Sequence, residues 1–166
     1  MTFQEALLQE YDLEMKSTRP LLQCVPEDKF AWKPHAKSMT LGRLAGHVAE
    51  LAGRPASVIG MDTVVRSPGQ QPYVPASKKE LLEKFDTGSA EARKSIAGLT
   101  ADRLDTIWTL KFGDRTLFEI PRAMALRRVC MNHLIHHRAQ LGVFLRLLDV
   151  PIPGMYGPSA DGAFPK

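Results

Sequence analysis

Cysteine is nearly absent: Cys24 and Cys130 are the whole complement of a 166-residue chain. Two thiols cannot build a disulfide scaffold, and they suit a reducing compartment. No apolar run approaches the length of a membrane span. The opening residues Met1-Thr2-Phe3-Gln4-Glu5 lack the basic-then-apolar order of a secretory signal, so the expected location is the cytoplasm. There is no internal repeat, no low-complexity tract, no glycine-rich phosphate loop and no convincing Ser-His-Asp order. Charge of one sign is scarce too. Lys and Arg number 22 against 18 Asp and Glu, a net charge of +4. So small a surplus, spread along the chain, speaks of solubility before nucleic acid, which is not expected as a partner. What is present is 44% hydrophobic residues, enough for one domain over residues 1–166 with a core of its own.

The hydrophobic period is mostly that of a helix. Thr2 with Glu5 reads as a capping box, followed by Leu8, Tyr11, Met15, Leu22 and Val25 at helical spacing, with Pro20 inside. Residues 26–39 read as a loop anchored by Phe30 and Trp32. Thr40 is an N-cap for a second helix of roughly 26 residues, carrying Leu41, Leu44, Val48, Leu51, Pro55, Val58 and Ile59. Four prolines and glycines make the segment from Arg66 to Ala76 a loop. Ser77 with Glu80 caps a third helix bearing Leu82, Phe85, Ala92, Ile96 and Leu99. The period then switches to two around Trp108, Leu110 and Phe112. Gly113-Asp114 turns the chain into Thr116–Ile120, a short hairpin. Pro121 opens a fourth helix that runs to about Leu148, and the tail from Pro153 lies on the surface. The expected fold class is all-α: a four-helix bundle with a short β-hairpin insert between helices 3 and 4.

The histidines carry the chemistry. At 100° per residue, His133 and His137 fall inside the apolar arc of the fourth helix with Cys130, Leu134 and Leu141, whereas His136, an i+3 rival to His137, falls outside it and reads as a neighbour of the ligands or a surface residue. Imidazoles at i and i+4 stand one above the other and can reach one ion. His47, at the edge of the second helix's stripe, could supply a third nitrogen. Three neutral imidazoles leave a coordination position open for water or substrate, and they suit zinc, nickel, copper or iron. The spacing alone leaves a second reading open, that these are core histidines satisfied by hydrogen bonds. Cys130 reads as a small core residue and His35 as a loop residue in solvent. Gln140 and Glu50 each follow a candidate ligand by three residues and could orient imidazole N–H groups or bound water, though for Glu50 a solvated helix face is the preferred reading. Tyr156 in the tail either closes over the site or anchors the tail. Arg122, Arg127, Arg128, Arg138 and Arg146 scatter around the fourth helix, which reads as a solvated face.

The stretch His133-Leu134-Ile135-His136-His137-Arg138-Ala139-Gln140-Leu141, continuing to Pro153-Gly154-Met155-Tyr156-Gly157-Pro158-Ser159-Ala160-Asp161, resembles the C-terminal signature of the DinB family. Leu41-Gly42-Arg43-Leu44-Ala45-Gly46-His47 resembles its second-helix motif. Ala139 stands where that signature has glycine, a change between small residues. The resemblance covers essentially the whole chain. It implies a metal-binding four-helix bundle, often a homodimer, with His47, His133 and His137 as ligands of a divalent ion, zinc or nickel leading. It also implies the chemistry of the superfamily's bacillithiol transferases and mycothiol-dependent isomerases. The expected function is therefore a metal-dependent enzyme acting on a small molecule. A low-molecular-weight thiol in an S-transfer is favoured, hydrolysis is the alternative chemistry, and no catalytic side chain is identified. The contrasting expectation is a non-catalytic or stress-associated protein in which the metal is structural.

Overall fold

The computed structural model describes residues 1–162. Helix α1 (Phe3–Gln23) starts at the capping box: Thr2 Oγ1 accepts from the Glu5 N–H and the Glu5 carboxylate accepts from the Thr2 N–H. It continues through Pro20. A 3-10 turn (Glu27–Lys29) and a loop follow, with Phe30 and Trp32 packed on the core. The Trp32 ring meets Phe144 edge to face, 5.7 Å between centroids. Helix α2 (Leu41–Gly60) is capped by Thr40, which accepts from the Arg43 N–H.

At the end of α2 the structure departs from the expected 26-residue helix. The helix closes after 20 residues and Thr63–Arg66 becomes a strand, β1. Its Thr-Val-Val run is β-branched and favours extended backbone. A second cause is tertiary: the Arg122 guanidinium donates to the Val58 and Met61 carbonyls, satisfying acceptors that a helix end leaves free. Arg122 is fully buried and also pairs with Asp62. The solvated-face reading of the fourth-helix arginines therefore fails for Arg122. It fails for Arg138 too, which is 2% exposed and pairs with Glu14.

Helix α3 (Lys78–Ala97) begins at Ser77, whose hydroxyl accepts from the Glu80 N–H, while the Glu80 carboxylate accepts from Ala76. After a short turn of helix, α4 (Ala101–Leu104), the hairpin forms as β2 (Ile107–Phe112) and β3 (Arg115–Pro121). Gly113 turns it with φ +56°, a left-handed value that a Cβ disfavours. The hairpin is joined by β1, which runs parallel to β2 with Thr63 opposite Thr109 and Arg66 opposite Phe112. A helical protein with a small three-stranded sheet replaces the expected all-helical body and isolated hairpin.

The closing helical run is continuous but not uniform: α5 (Arg122–Ala125), a π-helical stretch (Leu126–Met131) and α6 (Asn132–Leu147). Pro121 caps this run from outside rather than lying in its first turn. A constant 100° per residue therefore does not hold across Cys130, although it does from His133 onward. The core is one cluster fed by every long element. Leu7 and Leu81, rather than Leu8 and Leu82, take its deepest positions; in a Leu-Leu doublet, spacing alone leaves the phase open by one residue. The Tyr11 hydroxyl donates to the Ala52 carbonyl at 2.7 Å and ties α1 to α2. Of the tail, residues 151–162 return along α6 and α1, and the residues after them lie outside those described.

Candidate metal centre

Helix α2 presents His47 toward α6, which presents His133 and His137 one turn apart. The ligand atoms of the three rings lie within 4.8 Å of one another. His133 Nε2 is 3.4 Å from His47 Nε2 and 2.9 Å from His137 Nε2. His47 and His137 are only 6% and 9% exposed. The loop before α3 seals this corner: at Gly46 a Cβ would stand 2.9 Å from Pro75 and 3.2 Å from Tyr73, so only glycine lets the chain pass so close to His47.

Two of the outer ring nitrogens have acceptors. His137 Nδ1 is 2.7 Å from Gln140 Oε1, and His47 Nδ1 is 3.3 Å from Glu50 Oε2. An acceptor beside Nδ1 of His47 and of His137 favours the proton there, leaving the Nε2 lone pairs of these two rings facing His133 Nε2. Lone pairs so disposed repel unless a cation lies between them. Imidazoles bound at about 2.1 Å to one ion would stand about 3.0 Å apart at a right angle and about 3.4 Å at the tetrahedral angle. The 2.9 and 3.4 Å separations fall in this range, so the donor set suits a divalent ion.

Electrostatics favour the same state. Burial lowers the pKa of His47, helped by the Arg43 and Arg54 charges and opposed by Glu50. Burial lowers that of His133 to about 4, with Arg54, His137 and His47 adding to it. His137 moves down for the same first reason, against the pull of Gln140. All three are held neutral, the form that binds metal. Glu50 feels desolvation pushing it up, yet the His47 hydrogen bond and the Arg43 charge bring it below the usual carboxylate range. Its Oε2 also accepts from Arg43 Nη1 at 3.1 Å, so one carboxylate bridges ring and guanidinium. Glu50 is thus part of the site and not a solvated face.

His136 is exposed and stacks edge-on against His137 at 4.8 Å without joining the convergence. Cys130 is buried with its thiol pushed up to about 12 by desolvation, as a core residue should be. Tyr156 does not close over the histidines: its hydroxyl donates to Glu14 at 2.8 Å and accepts from Arg138 at 2.9 Å, an anchor for the tail. Arg43, Arg54, Arg66 and Tyr73 border the site and were not foreseen. Arg43 and Arg54 do stand at i−4 and i+7 from His47, on its side of α2. Nothing local marked Arg66, which arrives with the unexpected strand.

A mostly helical fold and a largely enclosed group of three histidines suit a metal-binding protein. The chain belongs to the DinB superfamily, which it matches over residues 10–141. It is 26% identical to YrdA of Bacillus subtilis (strain 168), an uncharacterized protein, over 161 residues that cover 93% of this chain and 88% of that one. Its fold is similar to that of a DinB-like protein from Bacillus cereus ATCC 10987, with a TM-score of 0.71, 24% identity, and 92% and 97% of the two chains covered. The DinB-like protein YjoA of Bacillus subtilis gives a TM-score of 0.68 at 20% identity, over 90% and 96%. Among the described residues, no helix is long and apolar enough to cross a membrane.

Proposed function

We propose that the chain is a single-domain metalloprotein, its long helices acting as a four-helix bundle, that works as a metal-dependent enzyme on a small molecule in the cytoplasm. His47, His133 and His137 hold the ion, zinc or nickel leading. The observation that carries this reading is the convergence of three imidazoles from two helices, two of them with an acceptor fixed beside Nδ1. Such an ion supplies Lewis acidity, which favours a thiolate or a hydroxide at neutral pH.

The chain's own residues do the rest. Glu50 and Gln140 orient the His47 and His137 rings and raise their basicity. Burial keeps the imidazoles unprotonated. His133, the most open of the three, faces a hollow shared with His136 and Arg54 in which a substrate is accommodated. Thiol transfer is the favoured chemistry: the sulfur bonds to an electrophilic carbon of the acceptor, the leaving group departs with its electron pair, and the thiol proton passes to water.

Elemental analysis of the purified protein should find about one divalent ion per chain, lost in His133→Ala and in His137→Ala. Full metal content in both variants overturns the assignment. Metal-loaded protein incubated with low-molecular-weight thiols and an electrophilic acceptor should outpace the metal-free variants. Equal rates leave the ion a structural role, and light scattering tests the homodimer that the family resemblance implies.

A further inference from the structure

Arg54 and Arg66 differ from the arginines around them. Arg43, Arg122 and Arg138 each pair with a carboxylate, as do Arg19 and Arg93 on the surface. Among the described residues, neither the Arg54 nor the Arg66 guanidinium makes a hydrogen bond or an ion pair. Arg54 is partly buried on α2, two turns beyond His47, and Arg66 ends β1. Their charges oppose one another across a cleft.

That cleft consists of adjoining hollows of about 320, 330 and 430 Å³, and both arginines line all of them. One hollow also contains His47 and another His133. The wall of a third includes Trp108, 2% exposed, whose indole N–H has no acceptor among the described residues. Two carboxylates border the same space: Glu50, held by His47 and Arg43, and Glu91, exposed on α3. Neither lies within ion-pair distance of Arg54 or Arg66.

The Arg54 charge is partly desolvated and faces a like charge on the solvent-exposed Arg66, which is costly unless something neutralises it. Guanidinium forks match the planar geometry of a carboxylate or two oxygens of a phosphate. We propose that Arg54 and Arg66 form an oxyanion-recognition subsite beside the histidine cluster, and that the small molecule this protein takes carries a carboxylate or phosphate group there. The subsite rests on the enzymatic reading for its purpose but not for its existence. One molecule of modest size spans from Arg54 to His133, since both line a single hollow. Its acidic group is held by the arginines while its reacting atom lies at the histidines.

The test uses the full chain stripped of metal, so that it stands apart from the metal assignment. Succinate and inorganic phosphate are titrated separately while the side-chain Nε resonances of the arginines are followed by NMR. The expected result is saturable binding of at least one probe, with the Arg54 and Arg66 resonances moving together. Arg54→Met and Arg66→Gln should each weaken binding about tenfold or more, and Lys16→Gln, a like charge loss on α1, should leave it unchanged. The probe bound more tightly identifies the acidic group. Equal binding in all variants, or an equal loss in Lys16→Gln, overturns the proposal. A thermal midpoint gives a second readout: Arg54→Met should raise it, because an unneutralised desolvated charge is removed. A lowered midpoint with no change in anion binding makes Arg54 a structural residue and ends the proposal. Anion binding that survives in a protein unable to hold metal leaves the subsite standing and removes only the metal-dependent reading.

Discussion

Glu50→Gln isolates what the outer hydrogen bonds contribute to the metal centre. The substitution preserves shape and one acceptor oxygen but deletes the charge that His47 Nδ1 meets at 3.3 Å and Arg43 Nη1 at 3.1 Å. His47 then loses a charged acceptor and becomes a weaker donor at Nε2. Arg43, whose Nη2 lies 3.4 Å from the same ring nitrogen, loses its carboxylate partner beside the cation site. Loss of such an orienting partner costs about 10–100-fold in metal affinity, or roughly 1.4–2.7 kcal/mol. The Arg43 charge, left without its carboxylate, places the expected loss toward the upper end. Competition against a chromophoric chelator at neutral pH measures it. Adding Arg43→Gln to Glu50→Gln should recover part of the loss, because the repelling charge goes with it. An affinity within twofold of the parent in Glu50→Gln refutes the reasoning, since the carboxylate would then be a bystander.

The remaining predictions concern pH and the buried ion pair. In the metal-free protein the three histidines have depressed pKa values, His133 near about 4, whereas unfolded imidazoles titrate near about 6.5. Between these values the unfolded chain binds more protons, so stability falls as pH drops through that window and is fully present above it. A thermal midpoint that stays level over the same range contradicts this. Arg138→Met should cost about 3–5 kcal/mol in denaturant unfolding, because Glu14 is left buried without its partner. Tyr156→Phe should cost about 1 kcal/mol and leave metal content unchanged. Loss of metal in Tyr156→Phe would show that the tail does reach the site.

Much of the architecture could be read directly. Thr2, Thr40 and Ser77 open the first three long helices because a short side-chain oxygen before an apolar-periodic run satisfies N–H groups that no other local device reaches. The Trp108-Leu110-Phe112 alternation produced a hairpin for the same kind of local reason. His133 and His137 were legible as a pair because helical spacing alone sets them one above the other.

What escaped depends on distance along the chain. Helix α2 ends at Gly60 because a guanidinium 62 residues later takes its carbonyls and a parallel strand pairs with β1. The π-helical stretch before α6, the burial of Arg122 and Arg138, and the phase of each Leu-Leu doublet are set by packing partners that periodicity does not name. The sequence by itself determined which residues can ligate and on which helix face they stand, since rotation per residue is a property of the local backbone. Only the tertiary structure decided that His47 meets the α6 pair, that Glu50 and Gln140 fix the rings, and that Arg66 reaches the same cleft. Those are contacts between segments far apart in sequence, and only side-chain packing between separate elements selects them.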